Sequence, residues 1–377
     1  MKKFLKALPA IIFSFFIALM LILFIALPKA SYSETEKRYL AQAPKFTFDS
    51  FFSGKFGEEF ETYLCDHTAF RTTWVGLNAY YNLAVGNNGA DGIYHCNNGY
   101  LINDPCDSSK LHSNIEVIKE FADKISTDTT VLIAPSTGYI CSDVLPKNHR
   151  EYHDDELFTD MESTLSSSAH FVDVREAFKK EYQDGKQIYY KTDHHWTSEG
   201  AYTAYKELSK ELSYTPIDKS EYEITSYDGF YGTTYSSSGF WYTKPDTLEV
   251  WDNKANDGHI HIEIQDGADT IESDDMFFYS HLDESDMYPV FSDGNHPYTK
   301  ITNNSKDASG KLLIIKDSFA HSLAPFIADH FEETVMLDMR YYKQSVSKFV
   351  EQENFDKVLV LYSIDNLATD TDIAWLE

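Results

Sequence analysis

The segment Asp193-His194-His195-Trp196 carries a carboxylate and an imidazole two residues apart. These are the orienter and the base that a serine nucleophile requires. Far downstream, the apolar run Leu312-Leu313-Ile314-Ile315 leads through Lys316-Asp317 to Ser318, and a helix-like stretch follows from Phe319. That order reads as a buried strand, a tight turn bearing the serine, and a helix beginning beneath it. A hydroxyl so placed stands at the carboxyl edge of a sheet, next to amide N–H groups that bind an oxyanion. Ser318 suits a plain helix N-cap equally well, and the flanking glycines of a Gly-x-Ser-x-Gly elbow are missing. Two adjacent histidines after an aspartate also resemble part of a two-histidine, one-carboxylate metal site. Neighbours on a loop rarely converge on one ion, so the reading is no metal and no cofactor. His194 is left to contact substrate or to serve structure, and Trp196 to pack beneath the loop.

Elements that could position these residues follow from periodicity. Apolar strands are expected at Thr130–Ala134, Phe171–Val174, Leu312–Ile315, Thr334–Leu337 and Lys357–Tyr362. Helices are expected over Ile115–Ile125, from a Thr197 or Ser198 cap to about Leu212, after Ser318, and up to Glu353. Alternation of this kind predicts an α/β class with a parallel sheet covered on both faces, an α/β/α sandwich. The stretch 214–309 breaks the rhythm. It is rich in Tyr, Ser, Gly and Asp, with alternation such as His259-Ile260-His261-Ile262-Glu263-Ile264. It reads as a β-rich insertion beside the active edge.

Three lysines precede an uncharged run from Ala7 to Leu27. Roughly 20 apolar residues span a bilayer core, so the run predicts an N-terminal transmembrane signal anchor with the rest of the chain extracytoplasmic. The small residues Ala26, Ala30 and Ser31 make a cleaved signal the alternative, which Pro28 disfavours. Three regions are expected: 1–28, cytoplasmic tip and anchor; 29–106, stem and N-terminal helical and hairpin region; 107–377, the catalytic domain with its insertion. The chain has 377 residues, 60 of them acidic against 32 basic, for a formal net charge of −28. A surface of that sign repels phosphate backbones, so nucleic acid is not an expected partner. Aromatics reach 15%, with 26 Tyr and 26 Phe, enough for a ring-rich core and for stacking platforms under sugars. Cys65, Cys96, Cys106 and Cys141 permit two disulfides in an exported chain, and free buried thiols are the alternative reading. Cys96 and Cys106 flank the turn Asn97-Asn98-Gly99 and could face each other across a hairpin.

The stretch Tyr190-Lys191-Thr192-Asp193-His194-His195-Trp196-Thr197-Ser198-Glu199-Gly200-Ala201-Tyr202 resembles the signature of the bacterial DHHW protein family. That family is similar to the alginate O-acetyltransferases, SGNH-hydrolase-like envelope proteins with a corresponding Asp-x-His-Trp loop. The likeness extends to the anchor, to Ser53-Gly54-Lys55-Phe56 with Tyr63, Asp66 and Arg71, to Gly92-Ile93-Tyr94 with Gly99-Tyr100-Leu101-Ile102, and to Lys316-Asp317-Ser318. It implies a three-layer SGNH-like sandwich in which Ser318 is nucleophile, His195 base and Asp193 its orienter. The chain order Asp, His, Ser reverses that of ordinary SGNH lipases. For the family's oxyanion glycine and asparagine, Gly294 and Asn295 are the first candidates and Asn366 the second, each also readable as a turn residue. The implied activity is extracytoplasmic O-acyl transfer, acetyl above all, onto a cell-surface or exported polysaccharide. A polytopic membrane O-acyltransferase would be the donor partner. A carbohydrate esterase with the same triad is the enzymatic alternative, and a non-catalytic polysaccharide-binding or scaffold subunit is the other.

Overall fold

Long runs of β-branched and aliphatic residues can persist in a strand only where both faces of the sheet are covered. The computed structural model describes residues 2–376 and meets that condition. It divides into a smaller unit, residues up to Ala90 with Ser236–Trp241, and a larger one, Asp91–Tyr235 with Tyr242 onward.

The larger unit is built on an eight-stranded sheet. Its spatial order is Asp269–Ser273, Ile260–Asp266, Tyr298–Asn303, Glu333–Asp338, Lys311–Lys316, Lys357–Ser363, Asp128–Ala134 and His170–Val172. The last five run parallel, and the first three add to their edge antiparallel. Period-two alternation sends Leu132, Leu312, Ile314 and Leu359 to one face, against the helices Ser198–Leu212 and Ala320–Ala328. Val131, Ile133, Leu313, Ile315, Val358 and Val360 face the other way, against Leu111–Lys124, Asp154–Leu165 and Val346–Glu353. The result is a mixed α/β architecture with helices on both faces of a large central sheet.

The stretch expected as an insertion divides in two. Glu223–Phe230 and Asp246–Asp252 pair as a separate antiparallel hairpin. Ile260–Asp266, Asp269–Ser273 and Tyr298–Asn303 instead continue the main sheet, because Ile260, Ile262 and Ile264 alternate onto the covered face.

A second hairpin pairs Ile93–His95 with Leu101–Asn103. Within its turn the Cys96 N–H donates to the Tyr100 carbonyl. Tyr100 is thus the residue opposite Cys96, while Cys106 lies beyond Asn103, the last paired position. The Cys96–Cys106 bridge does not form, and all four cysteines are free thiols. Burial pushes the Cys96 and Cys106 thiols up to about 12.

In the smaller unit the helix Lys2–Ala26 contains the stretch Lys6–Ala26, long and apolar enough to cross a membrane. Short strands Tyr32–Ser33 and Arg38–Tyr39 pair, and helices Phe48–Phe52, Lys55–His67 and Arg71–Ala84 follow. Arg38 grips the Asp66 carboxylate at 2.6 and 3.1 Å, and the Ala41 N–H adds a third bond at 2.8 Å. The Arg38 hydrogen bonds hold that carboxyl down at about 2. Arg71 pairs with Glu36 at 2.8 Å, so the polar stem is pinned to the helices that follow it.

Phe178, fully buried, meets Tyr189 and Trp196 edge-on beneath the Asp193–Trp196 loop. Phe178→Ala is expected to cost about 3–5 kcal/mol of stability, read by denaturant unfolding of the full chain. A loss below about 1 kcal/mol would mean that this ring does not support the loop.

Candidate active site

Ser318 sits in the turn between the strand Lys311–Lys316 and the helix Ala320–Ala328. Asp317 shapes that turn. One of its carboxylate oxygens accepts from the Phe319 N–H at 2.9 Å. The other accepts from the Ser363 N–H, the Ser363 hydroxyl and Asn366 Nδ2, at 2.8, 3.0 and 2.7 Å. The Asp317 N–H donates to Leu361 on the neighbouring strand. Four bonds to one carboxylate leave the serine turn little freedom. Ser318 itself caps nothing: residue Phe319 holds the cap position, and the serine hydroxyl points elsewhere.

It points to His195. Ser318 Oγ lies 2.7 Å from Nε2, and Nδ1 lies 3.2 Å from Asp193 Oδ2. With Nδ1–H donating to the carboxylate, Nε2 is left to accept the serine proton. The loop is tight, with a bridge between Tyr189 and Trp196 and a bond from the Tyr190 N–H to the His195 carbonyl. Asp246 fastens it from outside, accepting from the Lys191 N–H and from both the N–H and the hydroxyl of Thr192. Trp196 Nε1 donates to the Phe319 carbonyl at 3.0 Å and to Ser322 Oγ at 2.9 Å. Its ring does pack beneath the loop, and it also ties the loop to the first turn of the serine helix.

The three side chains are almost fully buried. Burial pushes Asp193 up, but the His195 and His194 imidazoles outweigh it, so its carboxyl lies well below the usual range. Burial pushes His195 below its ordinary 6.5, and neighbouring His194 adds to that; Asp193 opposes both without cancelling them. For His194 the attraction of Asp193 outweighs burial, and its pKa is raised. Tyr288 stacks on the His195 ring at 4.1 Å and 14°, and Phe319 closes another side at 5.0 Å.

The other residues singled out from the sequence take various places. His194 Nδ1 lies 2.9 Å from Asp193 Oδ1 and 2.8 Å from Thr233 Oγ1, so it braces the orienting carboxylate. Gly294 takes φ +83° in the turn whose N–H donates to Phe291. The Asn295 side-chain oxygen accepts from Arg340 at 2.8 Å and lies 3.1 Å from His321 Nε2. That links it to buried Lys316 and Asp338 at the ends of their strands. Asn366 serves Asp317, as above. Among the described residues the Ser318 N–H donates to no protein acceptor. Asp193, His194 and His195 also place ligand-type atoms within 4.8 Å of one another, but those atoms already face one another and Ser318.

Sequence reasoning gave no role to Asp317, Asp246, Thr233 or Gly232. Thr233 Oγ1 donates to Asp193 at 3.0 Å. A Cβ on Gly232 would stand 2.1 Å from the Asp193 Cβ, so only glycine fits behind that carboxylate. An acid directly before a serine at a strand end is the one signal that could have flagged Asp317; the others come from distant segments with no local signature.

Residues 156–337, which contain both segments, match the family model described as DHHW protein. A crystal structure of a DHHW family protein from Eubacterium siraeum aligns at 22% identity, covering 76% of this chain and 97% of that one, with a TM-score of 0.61. Bacillus cereus PatB1, solved with a sulfonyl adduct, aligns at 20% identity over 77% of this chain and all 100% of its own, with a TM-score of 0.66. The O-acetyltransferase domain of Pseudomonas putida AlgJ aligns at 13% identity over 76% and 95%, with a TM-score of 0.48. No curated protein matches the chain. At these identities the first two likenesses are likenesses of fold.

Gly232→Ala should displace Asp193 and misalign His195. The expected result is a drop of about a hundredfold in the rate at which a fluorophosphonate labels Ser318, with the far-ultraviolet circular dichroism unchanged. Labelling at the wild-type rate would show that Gly232 does not set the carboxylate.

Proposed function

We propose that this protein is an extracytoplasmic serine O-acyltransferase with an SGNH-hydrolase-like fold, moving an acyl group, acetyl above all, onto a polysaccharide. The observation that carries the reading is the buried relay Ser318 Oγ, His195 Nε2, His195 Nδ1, Asp193 Oδ2, with contacts of 2.7 and 3.2 Å. A binding module has no use for such a relay. Acyl transfer uses every part of it.

In the first half-reaction Ser318 Oγ attacks the acyl carbonyl while its proton passes to His195 Nε2. Asp193 stabilises the imidazolium and holds its tautomer. The oxyanion is met by the Ser318 N–H, with the Asn295 side-chain amide as the further candidate; Gly294 gives its N–H to Phe291 and Asn366 gives Nδ2 to Asp317. Collapse expels the donor's leaving group, which takes the proton from His195, and leaves an ester on Ser318. A sugar hydroxyl then gives its proton to His195, attacks that ester, and departs acylated as Ser318 recovers its proton. Substrate contact by His194 belongs to the same reading, alongside its bracing of Asp193. The donor would come from a polytopic membrane O-acyltransferase, and the helix Lys6–Ala26 would hold the catalytic unit at the membrane as a single-pass anchor. For sugar units of the acceptor away from the relay, the larger unit offers a cavity of about 920 Å³ lined by the half-buried Tyr139 and Tyr182 with Lys179, Lys186 and Lys191. The recess beside the relay is a small one lined by Asp193, His194 and Tyr152. Tyrosine rings suit the apolar faces of sugars.

The test is intact-mass analysis of the full chain after incubation with a chromogenic acetyl ester. The expected result is a gain of one acetyl group that Ser318→Ala abolishes, and transfer of that group to an added glycan. Release of acetate to water alone, at an equal rate with and without glycan, would make the protein an esterase. Labelling that persists in Ser318→Ala would overturn the assignment of the nucleophile.

The pH profile follows from the same geometry. His195 works as a base only when neutral, and burial holds its pKa below the ordinary 6.5. Acyl-enzyme formation should therefore stay level as pH falls through 6.5 and decline only at lower pH. A decline centred above 6.5 would contradict the buried, neutral imidazole.

A further inference from the structure

The smaller unit carries an apolar surface that the acyl-transfer site does not use. In the stretch 45–56 the sequence places five phenylalanines, Phe46, Phe48, Phe51, Phe52 and Phe56. Four of them are strongly exposed: Phe46 at 56%, Phe48 at 73%, Phe51 at 55% and Phe52 at 82%. An exposed group of large rings is unusual on a folded protein and marks a surface that something covers.

The rings form a connected series. Phe52 contacts Phe51, Phe51 contacts Phe46, and Phe46 contacts Phe56, with centroids 5.4–5.7 Å apart. Phe56 stacks on Phe60, Phe60 meets Tyr63, and Tyr63 meets Phe24 at 5.8 Å. Phe24 lies two residues before Ala26, the end of the apolar run long enough to cross a bilayer. The exposed surface is thus continuous with the end of the spanning helix.

Charge and backbone point the same way. Around the most exposed rings, Phe46–Phe52, the only acid is Asp49, with Lys45 beside it; Glu58 and Glu59 come only at the Phe60 end, where Lys55 lies 3.6 Å from Glu59. Lysines flanking apolar rings extend their ammonium groups to lipid headgroups while the rings go deeper. The helix Phe48–Phe52 is closed by a reciprocal Thr47–Ser50 capping box, so its first backbone donors are satisfied locally. Phenylalanine has no polar tip that must find a partner.

We propose that the Phe46–Phe60 surface seats in the outer face of the lipid bilayer beside the spanning helix, as a second, monotopic membrane contact. The proposal rests on the reading of Lys6–Ala26 as an uncleaved anchor. The rings would hold the stem flat on the membrane, where a tether alone would leave it free to swing.

The experiment uses the full chain with a protease recognition sequence inserted after Pro28, reconstituted into vesicles of phosphatidylethanolamine and phosphatidylglycerol. Flotation is scored before and after cleavage. The cleaved wild-type protein is expected to stay with the vesicles. In Phe46→Ser/Phe51→Ser/Phe52→Ser the retained fraction should fall about tenfold. Phe48→Ser/Phe52→Ser, which alters the two most exposed rings, should show the same direction with an unchanged unfolding transition. Release of the cleaved wild type from lipid alone overturns the proposal in favour of a membrane protein as the occupant. Equal retention of wild type and variants overturns the assignment to the phenylalanines. Failure to float even before cleavage overturns the anchor reading itself, and this proposal with it.

Discussion

One carboxylate holds the candidate active site together. Asp317 ends the strand that delivers Ser318, and it accepts four hydrogen bonds from Phe319, Ser363 and Asn366. Those donors belong to two segments: the serine turn itself, and the start of the helix after the neighbouring strand Lys357–Ser363. A buried carboxylate is costly unless its lone pairs are filled, so the arrangement forms as a whole or not at all. Once formed, it fixes both where the serine turn leaves the sheet and which way the next helix starts. The direction of the Ser318 hydroxyl and the absence of an acceptor for the Ser318 N–H follow from that turn.

The histidine loop reaches the same point by a separate route. It comes from the far side of the chain and has no sheet strand of its own to fix it. Asp246 ties its entry through Lys191 and Thr192, and Trp196 ties its exit to Phe319 and Ser322. Between these fastenings Asp193 and His195 have one arrangement available. The surrounding rings of Tyr288 and Phe319 then keep water from the imidazole, which strengthens each charge interaction inside. Preorganisation of this kind lets a charge appear on His195 without rearrangement of the protein.

Much of this was legible in the sequence because it is local. Strand runs such as Leu312–Ile315 and Val358–Leu361 declare a sheet covered on both faces, and the Thr197 cap declares the helix that follows. The pairing of Asp193 with His195 is likewise short-range. The antiparallel edge was harder to read. Ile260, Ile262 and Ile264 alternate as any one-sided strand would, and nothing local says which sheet they join. Gly232, Thr233 and Asp246 could not be found at all, since each acts across tens of residues and looks like an ordinary loop residue. The cysteines misled for the opposite reason. Their spacing around Asn97-Asn98-Gly99 suggested facing partners, but the turn closes between Cys96 and Tyr100 and leaves Cys106 past the end of the pairing.

In the proposed reaction, the choice between transfer and hydrolysis turns on what reaches the acyl ester on Ser318. The chemical groups would be the same in both, because an imidazole base placed as His195 is can deprotonate water as well as a sugar hydroxyl. A transferase must therefore win by placement: the acceptor hydroxyl has to occupy the approach to Ser318 more often than water does. Ser318 and His195 are nearly sealed, with apolar rings on two sides of the imidazole. Water is small enough to enter such an approach, so closure alone does not favour the sugar; a sugar held by contacts elsewhere on the protein would gain the advantage of proximity. Selectivity would then reside in residues remote from the triad, in the contacts that hold the acceptor rather than in the groups that activate it.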